Sequence, residues 1–185
     1  MFMNRMHRAI YENVAKILKP QPEDDILDVG CGNGFFLKNY TLKAHSITGI
    51  DLSELSVELA IKKNKERVVG RTAVFVQGEA SKLPWKDGHF SAVTSMGSFL
   101  GFPEPLGSLK EMYRVLRPGG RAVISVEWNA EDGLDHAKTV KKHGLRMYTE
   151  GDMRNMLKEA GYSDITVDYA KGFKMPKIMI ARGVK

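Results

Sequence analysis

The chain has 185 residues, 43% hydrophobic and 27% charged, which suits one domain with a sizeable core. No apolar run is long enough to cross a bilayer, residues 1–8 lack the apolar centre of a secretory leader, and one cysteine excludes an internal disulfide or a thiolate metal cluster, so the expected setting is the reducing cytoplasm, without a metal. The formal charge of +6 permits an anionic partner such as RNA or a phosphorylated small molecule but does not require one.

Ile10, Val14 and Ile17 recur at helical spacing, which predicts an amphipathic helix over residues 8–18, stopped by Lys19-Pro20-Gln21-Pro22. Residues 25–30 form a near-continuous apolar run that suits a strand buried on both faces. A glycine turn follows, then a helix over 35–43, a strand over 45–51 and a helix to about residue 67 capped by Ser53. Strands are predicted at 73–77, 90–95 and 121–126, with a loop over 79–88. Leu106, Leu109, Tyr113 and Leu116 mark a helix that ends at Arg117-Pro118-Gly119-Gly120. Lys138, Lys141 and Lys142 share one face of a short helix before Gly144. Thr149 with Asp152 resembles a capping box opening a helix over 149–160, which Gly161 stops. Strands at 165–169 and 177–182 leave no room for a helix between them and should pair antiparallel. The alternation of strand and helix gives a single α/β domain over residues 1–185, a doubly wound Rossmann-like sheet.

In such sheets the ligand lies beyond the carboxyl ends of the strands, where strand order reverses. Gly30, Cys31, Gly32, Asn33 and Gly34 end the first strand, and Asp51 ends the second, where a carboxylate can accept from both hydroxyls of a ribose. Gly78-Glu79-Ala80 ends the third, with Glu79 able to accept from an exocyclic amine, and Ser95 and Met96 end the fourth. The set suggests a nucleoside-containing cofactor. A dinucleotide fingerprint places its third glycine one residue later, and Phe35 stands where a small residue would pack helix on strand. That spacing argues against a nicotinamide-dependent oxidoreductase. Asp51 could also cap the following helix, Cys31 reads as a spacer in the turn, and Glu79 could be a surface carboxylate. Lys62, Lys63, Lys65 and Arg67 read as a solvated face, and the ten methionines as core packing.

Four stretches in order, Asp28-Val29-Gly30-Cys31-Gly32-Asn33-Gly34, Gly49-Ile50-Asp51-Leu52-Ser53, Gly78-Glu79-Ala80 with Leu83-Pro84, and Leu116-Arg117-Pro118-Gly119-Gly120, resemble class I S-adenosylmethionine (SAM) dependent methyltransferases. The type 11 group, which includes the ubiquinone/menaquinone C-methyltransferases, is the most similar. The resemblance covers roughly residues 8 to 183 and implies a seven-stranded, mostly parallel sheet with an antiparallel last strand. It implies that the Gly30 to Gly34 turn lies against the methionine part of SAM and that Asp28 helps hold its ammonium. Asp51 would bind the ribose, Leu52 pack on the adenine, Glu79 contact the adenine amine and Ala80 N–H a ring nitrogen. Ser95 and Met96 would lie by the methionine end, Ser95 through its backbone. Residues 1–19 are expected to cover the cofactor and substrate site. Glu79 replaces the aspartate usual in the family.

The implied activity is in-line methyl transfer from SAM to a small-molecule acceptor, releasing S-adenosylhomocysteine. RNA or protein acceptors, or a SAM-binding regulator without turnover, are the alternatives. Because the chemistry rests on positioning, no conspicuous catalytic residue is required. His7, Tyr11, Glu127, His136 and His143 are candidate bases by location, and the sequence singles out none. Met96-Gly97-Ser98-Phe99 lacks the Asn/Asp-Pro-Pro-Tyr usual in the enzymes of this class that methylate adenine or glutamine amino groups, and the sole cysteine sits in the glycine turn, away from the role that cytosine C5 methylation needs, so no DNA acceptor is expected. Lys138, Lys141, Lys142, His143 and Arg146 are either an anion-binding edge or a solvated face. Residues 129–148 are short for a substrate lid, which leaves an open pocket or one completed by a partner chain.

Overall fold

The computed structural model describes residues 2–185, with side chains from His7 onward. In chain order the elements are α1 (Phe2–Leu18), β1 (Asp25–Val29), α2 (Phe35–Tyr40), β2 (Ser46–Asp51), α3 (Glu54–Lys63), α4 (Lys65–Val69), β3 (Ala73–Gln77) and β4 (Phe90–Met96). Then come α5 (Pro105–Val115), β5 (Leu116–Val126), α6 (Ala137–His143), α7 (Glu150–Glu159), β6 (Ser163–Gly172) and β7 (Met175–Val184). The strands form one sheet in the order β3-β2-β1-β4-β5-β7-β6. The first five run parallel, and β7 lies antiparallel to both β5 and β6. Strand order reverses between β1 and β4, which places a crevice beyond their carboxyl ends.

Alternate residues of β1 serve opposite layers, as its near-continuous apolar character requires. Leu27 and Val29 pack with Leu109 and Met112 of α5 and Leu157 of α7. Ile26 packs with Ile10, Val14 and Leu18 of α1 and with Phe36 and Leu37 of α2. The antiparallel hairpin and the Thr149–Asp152 capping box are both present.

The structure differs from the sequence expectation in several places: α2 stops at Tyr40 rather than residue 43, and β6 and β7 are each longer than the strands expected at 165–169 and 177–182. The helix read as running to residue 67 breaks at Asn64, whose side-chain N–H groups donate to the Gly34 and Ala60 carbonyls at 3.3 and 2.9 Å. The tertiary bond to Gly34, with the local one to Ala60, outweighs helix continuation. Arg67, read as solvated, instead donates to the carbonyls of Thr41, Ala44 and His45 and so closes the α2–β2 turn. Leu116 already pairs with Phe90 before a register shift, so β5 begins ahead of the glycine pair rather than after it.

Two guanidinium groups hold the parts that matter for the crevice. Arg114 donates to the carbonyls of Leu83 and Trp85 at 3.0 and 2.7 Å, and Glu111 accepts from Leu83 N–H at 2.9 Å. Together they fix the loop downstream of Glu79 and Ala80 to α5. Arg121, at the amino end of the strands, pairs with the buried Asp24 and donates to the carbonyls of Leu18 at 2.6 Å and Lys19 at 3.3 Å. Arg121→Ala removes the cation paired with a buried carboxylate and a donor to the Leu18 carbonyl, while Gln21 and Ser91 still donate to Asp24, so urea unfolding should show a loss of about 3 kcal/mol; a loss under about 0.5 kcal/mol would show the pair to be dispensable.

Candidate active site

Gly30, Gly32 and Gly34 all take left-handed backbone conformations, with φ of +76°, +52° and +67°. Side chains rarely tolerate that region, so the residue type is dictated by the turn itself. The turn is tied to β2: Gly30 and Cys31 N–H donate to the Ile50 carbonyl at 2.8 and 3.0 Å. Gly32 N–H donates to Asp51 Oδ2 at 2.8 Å, and Ser53 N–H to Oδ1 at 3.0 Å. Asp51 thus holds the loop in place while its carboxylate stays partly exposed. The helix cap is a separate residue, because Ser53 Oγ accepts from Ser56 N–H.

Two cavities meet at Gly30 and Ser98. One, of about 430 Å³, is lined by Asp51, Leu52, Glu79, Ala80, Phe102 and Pro103 among others. The other, of about 330 Å³, is lined by His7, Tyr11, Asp28, Cys31, Asn33, Met96, Gly97 and Glu127 with Phe35 and Phe36. A Cβ built on Gly32 would meet nothing within 4 Å, so it would project into open space, whereas one on Gly30 would lie 2.5 Å from Ser98 Cβ. The turn therefore makes a cradle on one side and a tight wall on the other.

Of the expected cofactor residues, Asp28, Gly30, Cys31, Gly32, Asn33 and Met96 line the smaller cavity, and Gly30, Asp51, Leu52, Glu79 and Ala80 the larger. Gly34 and Ser95 line neither. Gly34 starts α2, with Asn64 and Phe75 filling the space beside it, and Ser95 is wholly buried in β4. Of the five candidate bases, His7, Tyr11 and Glu127 line the smaller cavity. His136 does not: its Nε2 lies 2.8 Å from Asp132 Oδ2 and its ring packs near Trp128. His143 ends α6 in an exposed position away from both cavities. Arg146 is equally committed, donating to the Phe102 and Pro103 carbonyls at 2.7 Å each, so it clips residues 129–148 onto the larger cavity's rim. Ser98, whose Oγ donates to the Gly30 carbonyl at 2.9 Å, was not found by sequence reasoning. Its importance comes only from the missing Cβ opposite it.

The smaller cavity concentrates buried acid groups. Burial pushes the Asp28 carboxyl up to about 7, against a hydrogen bond from Thr94 Oγ1 at 2.9 Å that favours its charge; the nearby Asp51 charge adds to the rise. Glu127 is likewise raised by burial to about 7, against a hydrogen bond from Ser125 Oγ at 2.8 Å. Burial, with Asp28 and Glu127 close by, pushes the Tyr11 hydroxyl up to about 12. Burial also raises the Cys31 thiol, with the same sign from Asp28 and Asp51, so it is a protonated spacer in the turn rather than a nucleophile. Among the described residues no group of three His, Cys, Asp or Glu side chains is placed to hold a metal, and no helix is long and apolar enough to cross a membrane.

A family model described as a methyltransferase domain matches residues 27–124, from β1 to β5. The 27-O-demethylrifamycin SV methyltransferase of Amycolatopsis mediterranei is 33% identical over 172 residues, 89% of this chain and 63% of its own. Cycloartenol-C-24-methyltransferase of Arabidopsis thaliana is 32% identical over 168 residues, 84% of this chain and 50% of its own. Demethylmenaquinone methyltransferase of Lactococcus lactis is 40% identical over 101 residues, 53% of this chain and 40% of its own. The chain thus spans roughly half the length of these curated relatives. Among solved structures, a chain from a complex between the Haloferax volcanii Trm112 methyltransferase activator and a methyltransferase superposes with a TM-score of 0.84 at 18% identity, covering 98% of this chain and 90% of that one. That likeness concerns the fold. The family match covers the glycine turn, the Asp51 strand and both sides of the crevice, and the chain belongs to the methyltransferase-domain family.

Proposed function

We propose that this chain binds SAM across the two joined cavities and methylates a small molecule. The observation that carries the reading is the Gly32–Asp51 bond, which sets a partly exposed carboxylate beside the glycine turn in the wall of a mostly apolar crevice. In this reading Asp51 accepts from the ribose hydroxyls, Leu52 covers one adenine face, and Glu79 and the Ala80 N–H read the adenine edge. Asp28 takes the ammonium of the methionine end, lying at 2% exposure beneath the turn. When bound, the sulfonium supplies an electrophilic methyl group. The protein's own part is to hold the acceptor in line and exclude water, which can supply on the order of 7–11 kcal/mol. Tyr11, Phe35 and Phe36 wall the smaller cavity for that purpose, so α1 acts as its cover. The whole of residues 1–185 is read as one such domain. The buried, unpaired Cys31 suits a reducing cytoplasm.

The relatives named for rifamycin, sterol and menaquinone chemistry favour a small acceptor over RNA or protein. Methyl-labelled SAM, incubated with the protein and a cell extract, should place label in the small-molecule pool. Label confined to RNA or protein would overturn the acceptor class. A chain that binds SAM and never yields S-adenosylhomocysteine would instead be a regulator.

A further inference from the structure

The smaller cavity holds a carboxylate that the cofactor reading leaves unused. With Asp28 assigned to the ammonium of SAM, Glu127 remains, just past the end of β5 and 6% exposed. Ser125 Oγ donates to its Oε1 at 2.8 Å and so aims the group. Gly97, in a left-handed conformation at φ +69°, stands opposite; a Cβ built there would lie 3.6 Å from Oε1. Glycine is required there by the left-handed backbone, and the Gly97 backbone hydrogen-bonds the Glu127 carboxylate and helps to aim it. Tyr11 comes down from α1 close enough to feel the charges of both Glu127 and Asp28. Its ring lies 5.7 Å from that of Phe35 and 5.9 Å from that of Phe36. Among the described residues lining this cavity there is no lysine or arginine. The cavity is therefore acidic and aromatic inside a chain of net charge +6.

We propose that Glu127 is the acceptor-recognising group, and that the acceptor presents an amine which Glu127 binds and deprotonates. Carboxylate with aromatic wall is the chemistry that selects an ammonium, by charge-assisted hydrogen bonding and by the negative faces of the rings. A carboxylate or phosphate would meet these acids with no lysine or arginine in the lining. An alkylammonium has no lone pair to give. One proton passes from nitrogen to the Glu127 carboxylate, and the N–H electron pair stays on nitrogen. Burial that holds the Glu127 carboxyl near neutrality fits it to take a proton at working pH. The groups facing it are Tyr11 and His7 from α1, Asp28 from β1 and Ser125 from β5; Lys63 of α3 sits over the Phe35 ring, 5.4 Å from its centroid.

This rests on the cofactor reading above, and the test separates the two. Benzylamine, benzyl alcohol and benzoate share one shape and differ in charge and donors. Each is titrated into the full chain, followed by NMR, with and without saturating S-adenosylhomocysteine. Benzylamine should bind about tenfold more tightly than benzyl alcohol in at least one of the two states, with benzoate weakest. Glu127→Gln should erase that preference and leave S-adenosylhomocysteine affinity within about twofold. Should Glu127→Gln not fold, Glu127→Asp, with its carboxylate drawn back, should cut the amine-to-alcohol ratio at least about threefold. Benzoate binding as tightly as benzylamine, or a preference that survives the substitution, overturns the proposal. Failure of S-adenosylhomocysteine to bind overturns the cofactor reading, and the titration without it still decides the role of Glu127.

Discussion

Asp51→Ala should weaken S-adenosylhomocysteine binding by at least about 100-fold in calorimetry, with a cooperative melt retained. Two losses add up at one position. The ribose loses its charged acceptor, and Gly32 N–H loses the oxygen that holds the turn at 2.8 Å. Ser53 N–H is released as well, yet the α3 cap persists because it runs through Ser53 Oγ. The stability cost is therefore about 2 kcal/mol, the worth of two hydrogen bonds to a partly exposed group. Asp51→Asn keeps one acceptor oxygen and should fall between the two. Affinity in Asp51→Ala within about threefold of the unaltered chain would remove this carboxylate from the site.

Asp28→Asn should stabilise the protein at pH 8 while crippling cofactor binding. The ordinary value of the Asp28 carboxyl is 3.8, and burial lifts it to about 7 in the folded chain. A carboxyl raised in this way favours folding while protonated. That contribution is complete below about pH 4, is lost as pH rises through about 7, and stays lost above. The shift corresponds to a folding penalty on the order of 4 kcal/mol for the ionised group. An asparagine carries no such charge, and its carbonyl can still accept from Thr94. Urea unfolding at pH 4 and pH 8 should show a gain of about 2 kcal/mol or more for Asp28→Asn at pH 8, and little at pH 4. Glu127 is lifted from 4.5 to about 7 and leaves a residual pH dependence of the same sign. S-adenosylhomocysteine affinity should fall about 30-fold in the same variant, since its ammonium loses a buried anion. A variant less stable than the parent at pH 8 would refute the electrostatic account.

The sheet was legible because its signals are local. Buried strands such as Ile26 to Val29 read as apolar runs, the three glycines announce a left-handed turn, and Thr149 with Asp152 announces a helix start. Asp51 and Glu79 were placed by the rule that strand ends carry the ligand. What was missed depends on partners distant in sequence. The helix break at Asn64 exists because of Gly34, 30 positions away, and Arg67 was drawn inward by carbonyls more than 20 positions away. Ser98 earns its place through the empty Cβ position of Gly30. His136 and His143 were reasonable by chain position, but α6 turns one toward Asp132 and leaves the other exposed.

The N-terminal helix has its two ends in different company. His7 and Tyr11 stand in the wall of the smaller cavity, while Leu18 and Lys19 are gripped by Arg121 at the opposite, amino end of the strands. Helix α1 thus joins the anchored start of the sheet to the mouth of the chamber, with Ile10, Val14 and Leu18 seated on the sheet between. A change at the anchor, such as Arg121→Ala, is expected to reach the chamber wall as well as the stability of the fold, which S-adenosylhomocysteine affinity measured beside the urea curve would show.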